Sequence, residues 1–280
     1  MMLSKSIFTF FKELKANNNR EWFLKNKPTF KQHEVQVNIF GEELKNRLNE
    51  FDSIDRFKLF RIYRDVRFSK DKTPFKTHFG LTWHRTKPLY RGGYYLHISP
   101  EKNFLACGFW DPNPNDLKRI RKELEHDANE FRDIINAKEF SSVWGVLEGS
   151  ELKTAPRNFD KNHPDIDLIR KKQYIFTINF SNKEICEPNF VNRLEDALKK
   201  VKPFTNYMSD VLTTDENGES LPWFANGWGK RFIESSSIDR VIYSLEWLTS
   251  QSEVALARYP KNQVMFIPFE DFVLSPDKYL

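Results

Sequence analysis

The chain has 280 residues, long enough to bury a sizeable core, and its 39% hydrophobic and 15% aromatic content excludes an intrinsically disordered protein. Its 44 basic and 39 acidic residues leave a net charge of only +5, so an anionic partner is permitted but not required. No stretch approaches the roughly 18 apolar residues that cross a membrane, and the two cysteines, Cys107 and Cys186, lie too far apart in sequence for a CxxC unit. A soluble protein of a reducing compartment is expected, read as the cytoplasm, with no membrane partner.

In chain order, Ile7, Phe8, Phe10, Phe11 and Leu14 recur at helical spacing, and the Lys inside this apolar stretch argues against a signal peptide. Asn17, Asn18 and Asn19 then break the pattern, since Asn favours turns and N-caps. A second helix starts near Arg20 and carries Trp22 and Phe23 inward. A third, from about Phe30 to Phe51, holds a stripe of Val37, Phe40, Leu44, Leu48 and Phe51.

The period then drops from about 3.6 to 2. "FRIYRDVRF" (60–68) predicts a strand with Phe60, Ile62, Val66 and Phe68 on one face. After a "SKDKTP" turn, a second strand runs over 75–83, and "GGYYLHIS" and "NFLACGFW" predict two more, joined at "PEKN". One helix is expected over 113–140, a short one at Ile166 to Lys172, a strand at Tyr174 to Phe180 and an amphipathic helix from Asn189 to Leu212. The whole predicts an α+β fold, an antiparallel sheet of about four to five strands packed against several helices, occupying residues 1–212. "TTDENGESLP" (213–222) is expected to be a linker, and 223–280 a C-terminal extension with one helix and the strand "QVMFIPF".

Chemistry concentrates between Arg56 and Lys76, where eight Lys or Arg face only Asp65 and Asp71. Guanidinium groups grip carboxylate and phosphate in bidentate fashion, so Arg64, Arg67, Lys70, Asp71, Lys72 and Lys76 are the candidate ligand-binding residues of a basic turn. The competing reading is a solvated sheet face of Arg–Asp pairs. His78 and His97 are candidate acid-base groups, and with His84 they share a predicted face; the lack of HxH or HExxH spacing argues against a metal. Phosphate-loop, dinucleotide and nucleophile-elbow motifs are absent. The pattern names no cofactor. It leaves open an anionic small-molecule site, enzymatic or not, and a nucleic-acid or protein interaction module using the same basic patch.

Taken together, "NNNREWFLKNK", "RDVRFSKDKTPFKTHFG", "GGYYLHISP" with "GFWDPNPNDLKRIR", and "PRNFDKNHPDIDLIRKKQY" resemble the domain of unknown function 2461 family over about residues 4–212. The resemblance implies a soluble α+β domain and no activity. Phe75 stands where that family more often has Tyr, which argues against an essential hydroxyl there. The tail, "NQVMFIPFEDFVLSPDKYL", faintly resembles a sulfotransferase segment, with Phe269 and Ser275 replacing the Tyr and Asp of its motifs and no glycine-rich donor loop. A remnant of such a domain is the reading this implies.

Overall fold

The computed structural model describes residues 2–87 and 89–214. The expected linker from 215 onward, the extension at 223–280 and its sulfotransferase-like segment lie outside the described residues.

Helix α1 (Ser6–Ala16) buries the five apolar residues its periodicity singles out, Ile7, Phe8, Phe10, Phe11 and Leu14. Asn19 caps the next helix by accepting a hydrogen bond from the Trp22 N–H at 2.9 Å. That helix, α2 (Arg20–Leu48), is continuous where two were expected. Pro28 lies inside it and removes the donor that would meet the Leu24 carbonyl, but Leu24 is on the exposed side, where water supplies the missing bond. Its inward stripe runs Phe30, Val37, Phe40, Leu44 and Leu48.

Five strands follow, β1 (Ile54–Leu59), β2 (Phe79–Arg85), β3 (Gly93–Ile98), β4 (Asn103–Phe109) and β5 (Tyr174–Phe180). They form an antiparallel sheet in the order β1-β2-β3-β4-β5. The α+β expectation holds, but its first strand is displaced. Residues 60–78 do not pair as a strand: they are held by a single bridge between Tyr63 and Phe75 and by the Arg64 N–H to Pro74 O and Lys76 N–H to Ile62 O bonds. Of the four residues expected on one face of 60–68, only Ile62 is buried, and Phe68 is 96% exposed. Pro74 has no N–H to continue a ladder, and the pairing resumes at Phe79.

The period-2 pattern puts Leu81, Trp83, Tyr94, Leu96, Leu105, Cys107 and Phe176 on one buried face. Helices cover it. α2 approaches closely at Gly41, where an added Cβ would sit 2.0 Å from the Phe57 ring, and the Trp83 indole donates to the Gly41 carbonyl at 2.9 Å. Between β4 and β5 come α3 (Pro114–His126), α4 (Asn129–Asn136), α5 (Lys138–Trp144) and the short α6 (Ile166–Ile169), so the single helix expected over 113–140 is three. The chain ends its described part with α7 (Asn182–Ile185) and α8 (Phe190–Thr213). Phe176 of β5 packs edge-on against Phe140 of α5 at 4.8 Å and Phe204 of α8 at 5.0 Å.

A buried polar cluster ties the sheet to α8. Arg85, whose side chain is fully buried, holds both carboxylate oxygens of Asp52 at 3.0–3.1 Å. It also donates to the Thr205 carbonyl at 2.7 Å, Ser209 Oγ at 2.9 Å and Asn206 Oδ1 at 2.6 Å. Tyr94 completes Asp52 with a 2.6 Å hydroxyl bond. With its charge paired and its donors all used, Arg85 is a structural tie, because a buried charge is tolerated only when so satisfied.

Candidate functional site

The alternate side chains of the same strands point to the opposite face of the sheet. Strand pairing aligns Lys58 with Thr82, Thr82 with Tyr95, Tyr95 with Ala106, and Ala106 with Thr177. A neighbouring row aligns Gly80, His97, Phe104 and Asn179, with the Phe60 N–H bonded to the Gly80 carbonyl beside it. Alternation therefore delivers Tyr95, His97, Phe104, Ala106 and Gly108 to one side, the set complementary to the apolar core residues of the same strands.

Small residues at the centre and large rings around them make a groove of about 520 Å³. Gly93, Ala106 and Gly108 lie in its middle, and Phe60, Tyr95, Phe104 and Trp110 line it, with Thr82 and His84 as polar members. Gly108 is required there: its φ is +116°, and an added Cβ would meet the Tyr174 carbonyl oxygen at 2.0 Å. Trp110, just past the end of β4, is 68% exposed.

Cations edge this aromatic strip. The Lys58 and Lys76 ammonium groups stand 5.1 and 5.5 Å from the Phe60 ring centre, and that of Lys102 stands 5.1 Å from the Phe104 ring. Across the sheet, at its β5 edge, the Thr177 hydroxyl donates to the Glu148 carboxylate. Burial, with Arg61 and Lys58 nearby, lowers the Lys76 pKa from its ordinary value.

His78 and His97, expected as acid-base groups, are brought together at the Phe104 end of this face. Their rings stack with centres 4.2 Å apart, and His97 stacks in turn on Phe104 at 5.0 Å. His97 Nδ1 and the Tyr95 hydroxyl are 3.0 Å apart. Burial, and then the charge of Lys76, pushes His78 down to about 4. Burial, then His78 and Lys102, does the same to His97. Both imidazoles are neutral at pH 7, and burial pushes the Tyr95 phenol up to about 12. His84 is apart from this pair, in the groove.

The basic turn divides. Lys76 reaches the open face, its ammonium bonded to the Arg61 carbonyl at 3.0 Å. The other five candidates stay on the 64–73 excursion, and four of them bond within it. Arg64 donates to Asp71 and to Thr73. Arg67 grips Asp65 through Nε at 3.0 Å and Nη2 at 2.6 Å. Lys72 donates to the Val66 carbonyl at 2.9 Å, and Lys70 is exposed. The Thr73 backbone N–H, aided by Arg64, holds Asp71 down at about 2.

Sequence pattern did not single out Phe60, Tyr95, Phe104, Trp110 or Lys58. The signal was present in the outward alternation of "GYYLHI" and "NFLACGF", which places Tyr95 opposite Ala106 and His97 opposite Phe104 across paired strands. Among the described residues no group of three or more His, Cys, Asp or Glu is placed to hold a metal ion, and no helix is long and apolar enough to cross a membrane. Both cysteines are free and buried.

No curated protein and no solved structure matches the chain. Residues 6–207 match the family described as conserved hypothetical protein, DUF2461; this span is well over half of the chain and, among the described residues, takes in every strand and all but the end of α8, so the chain belongs to that family.

Proposed function

We propose that the open face of the sheet binds a small molecule that joins a flat ring to an anionic group, the chemistry of a nucleotide. The observation that carries this reading is the groove itself. Rings of Phe60, Tyr95, Phe104 and Trp110 surround a strip without large side chains, and ammonium groups stand over Phe60 and Phe104 at 5.1–5.5 Å. Its volume of about 520 Å³ lies within the roughly 300–1,000 Å³ typical of small-molecule sites. A flat ring stacks on the aromatic walls while its anionic group meets Lys58, Lys76 or Lys102. In this reading His78 and His97 act as neutral rings that extend the platform, and Lys76 is the member of the basic turn that serves the groove.

The test pairs thermal-shift and direct binding measurements on nucleoside monophosphates and aryl phosphates with binding of a short single-stranded oligonucleotide over a range of salt. Saturable binding of the small anions, quenching the fluorescence of Trp110, is expected. Steep salt dependence for the oligonucleotide with no stabilisation by any small anion would replace this reading with an interaction surface for nucleic acid.

A further inference from the structure

A second recess lies on the far side of the basic turn, where 61–75 packs against the first turns of α2. It encloses about 410 Å³ and shares no lining residue with the groove. Its apolar part is a cluster of three rings: Phe23 stacks on Phe75 at 4.1 Å, and Tyr63 packs against both, at 6.2 Å from Phe23 and 5.5 Å from Phe75. Its charged lining is Arg20, Lys27 and Arg64, and no Asp or Glu lines it.

The three cations differ in how they are held. Arg64 is fixed: its Nη1 donates to Asp71 and Thr73, and none of its side-chain hydrogen bonds with the described residues uses Nε or Nη2. Its side chain is 26% exposed, so the unused edge of the fork is partly withdrawn from water. Arg20 and Lys27, seven positions apart along α2 and both exposed, stand on either side of the Leu24 turn. Asp71 balances the charge of Arg64, which leaves Arg20 and Lys27 as the excess positive charge beside an aromatic floor. That excess, with the open edge of the Arg64 fork, selects an anion, and the rings select what the anion is attached to.

We propose that this recess is a second ligand site, for a carboxylate or phosphate carried on an aromatic ring. The ring lies against the exposed Tyr63, beside the buried Phe23–Phe75 stack, and the anion takes the free edge of Arg64 with Arg20 and Lys27 closing the charge. This assigns Arg64 a role apart from the groove, and it makes the basic turn one wall of a site built jointly with α2.

The experiment is a titration of the full chain with phenyl phosphate, followed through the backbone amide signals of Phe23, Tyr63 and Arg64, with benzoate and inorganic phosphate as companion probes. Saturable shifts are expected for phenyl phosphate, and for benzoate if a carboxylate serves as well as a phosphate; inorganic phosphate should bind at least tenfold more weakly than phenyl phosphate. The double variant R20Q/K27Q should weaken phenyl phosphate about tenfold. Neither side chain has a hydrogen bond or ion pair to another described residue, so an unchanged melting temperature confirms that the variant is folded. R64K, which keeps the charge and loses the fork, should fall between. W110A alters the groove and should leave the shifts of these three amides unchanged. The proposal is overturned if these amides do not move with phenyl phosphate, if R20Q/K27Q binds as wild type, or if inorganic phosphate binds as tightly as phenyl phosphate.

Discussion

The side-chain amide of Asn18 pairs with the backbone of Phe75 in both directions, donating to its carbonyl at 2.9 Å and accepting from its N–H at 3.1 Å. The two residues are 57 positions apart, and the pair does for residues 61–76 what a neighbouring strand would do. It satisfies the backbone of a segment that otherwise has one isolated bridge. Asn18→Ala would strand both groups in a half-buried site, at a cost of roughly 2–3 kcal/mol. Urea denaturation measures the loss, and hydrogen exchange should show it concentrated in 61–76 with the sheet amides little affected. Equal stability of the variant would mean that Phe23 and Tyr63 alone hold Phe75 in place.

The same pair explains what the sequence disclosed and what it withheld. Tyr174–Phe180, the "PEKN" hairpin and α8 were legible because their periodicity and turn residues agree with their tertiary surroundings. The stretch 60–68 also alternates, yet its apolar residues serve different partners: Ile62 enters the core, Phe60 joins the groove, and Phe68 stands exposed beside Arg67. Alternation cannot tell these apart, because it records spacing and not what each side chain meets. The groove was partly hidden for a related reason. Its centre is made by Gly93, Ala106 and Gly108, and a gap appears only once register sets Gly93 opposite His84, Ala106 opposite Tyr95 and Gly108 opposite Ile175. Arg85 gave no local sign at all, since its partners Asp52, Thr205, Asn206 and Ser209 come from distant segments.

Arg85 and Asp52 should behave as a unit. Among the described residues, Arg85→Met leaves the Asp52 carboxylate, 1% exposed, with only the Tyr94 hydroxyl, and a broken buried pair costs roughly 3–5 kcal/mol. Tyr94→Phe removes one hydrogen bond to the same carboxylate, at a cost of about 1.5–3 kcal/mol. The double variant R85M/D52L should be more stable than R85M alone, because no uncompensated charge remains. Chemical denaturation of the three variants decides the point; a double variant less stable than R85M would show that Asp52 has further partners to satisfy.

Acid sensitivity should begin well above the carboxylate range. His78 and His97 titrate near 4 in the folded protein against 6.5 when unfolded, so between these values the unfolded chain binds more protons. Stability from each ring is therefore full above pH 6.5, falls as pH drops through the window, and is gone below about 4. Both rings are partly open to water, so each contributes less than the full shift would give. His33 and His84 are lowered too and act in the same direction, whereas Asp71 and Glu184, held at about 2, matter only at lower pH. His78→Phe keeps the stacked ring and removes one titrating group. Its melting temperature should fall less steeply from pH 6.5 to 4 than that of the wild type. Identical slopes would assign the acid sensitivity to other groups.

The groove separates stacking from charge at two residues. Trp110 is exposed at one end and makes no hydrogen bond with the described residues, so Trp110→Ala should leave stability within about 0.5 kcal/mol. For a bound ring it should cost about 1–3 kcal/mol, and equally for adenosine and for adenosine monophosphate, since the loss is of the ring's stacking partner. Lys58 stands at the other end, its ammonium 5.1 Å from the Phe60 ring. Lys58→Gln should weaken the monophosphate by up to about tenfold at low salt, do little to adenosine, and flatten the salt dependence of the difference between them. Calorimetric titration of both ligands into the wild type and both variants gives the six numbers required. If Lys58→Gln weakens adenosine as much as its monophosphate, the lysine is packing against the ring and not meeting the phosphate, and the anionic group must then be held by Lys76 or Lys102.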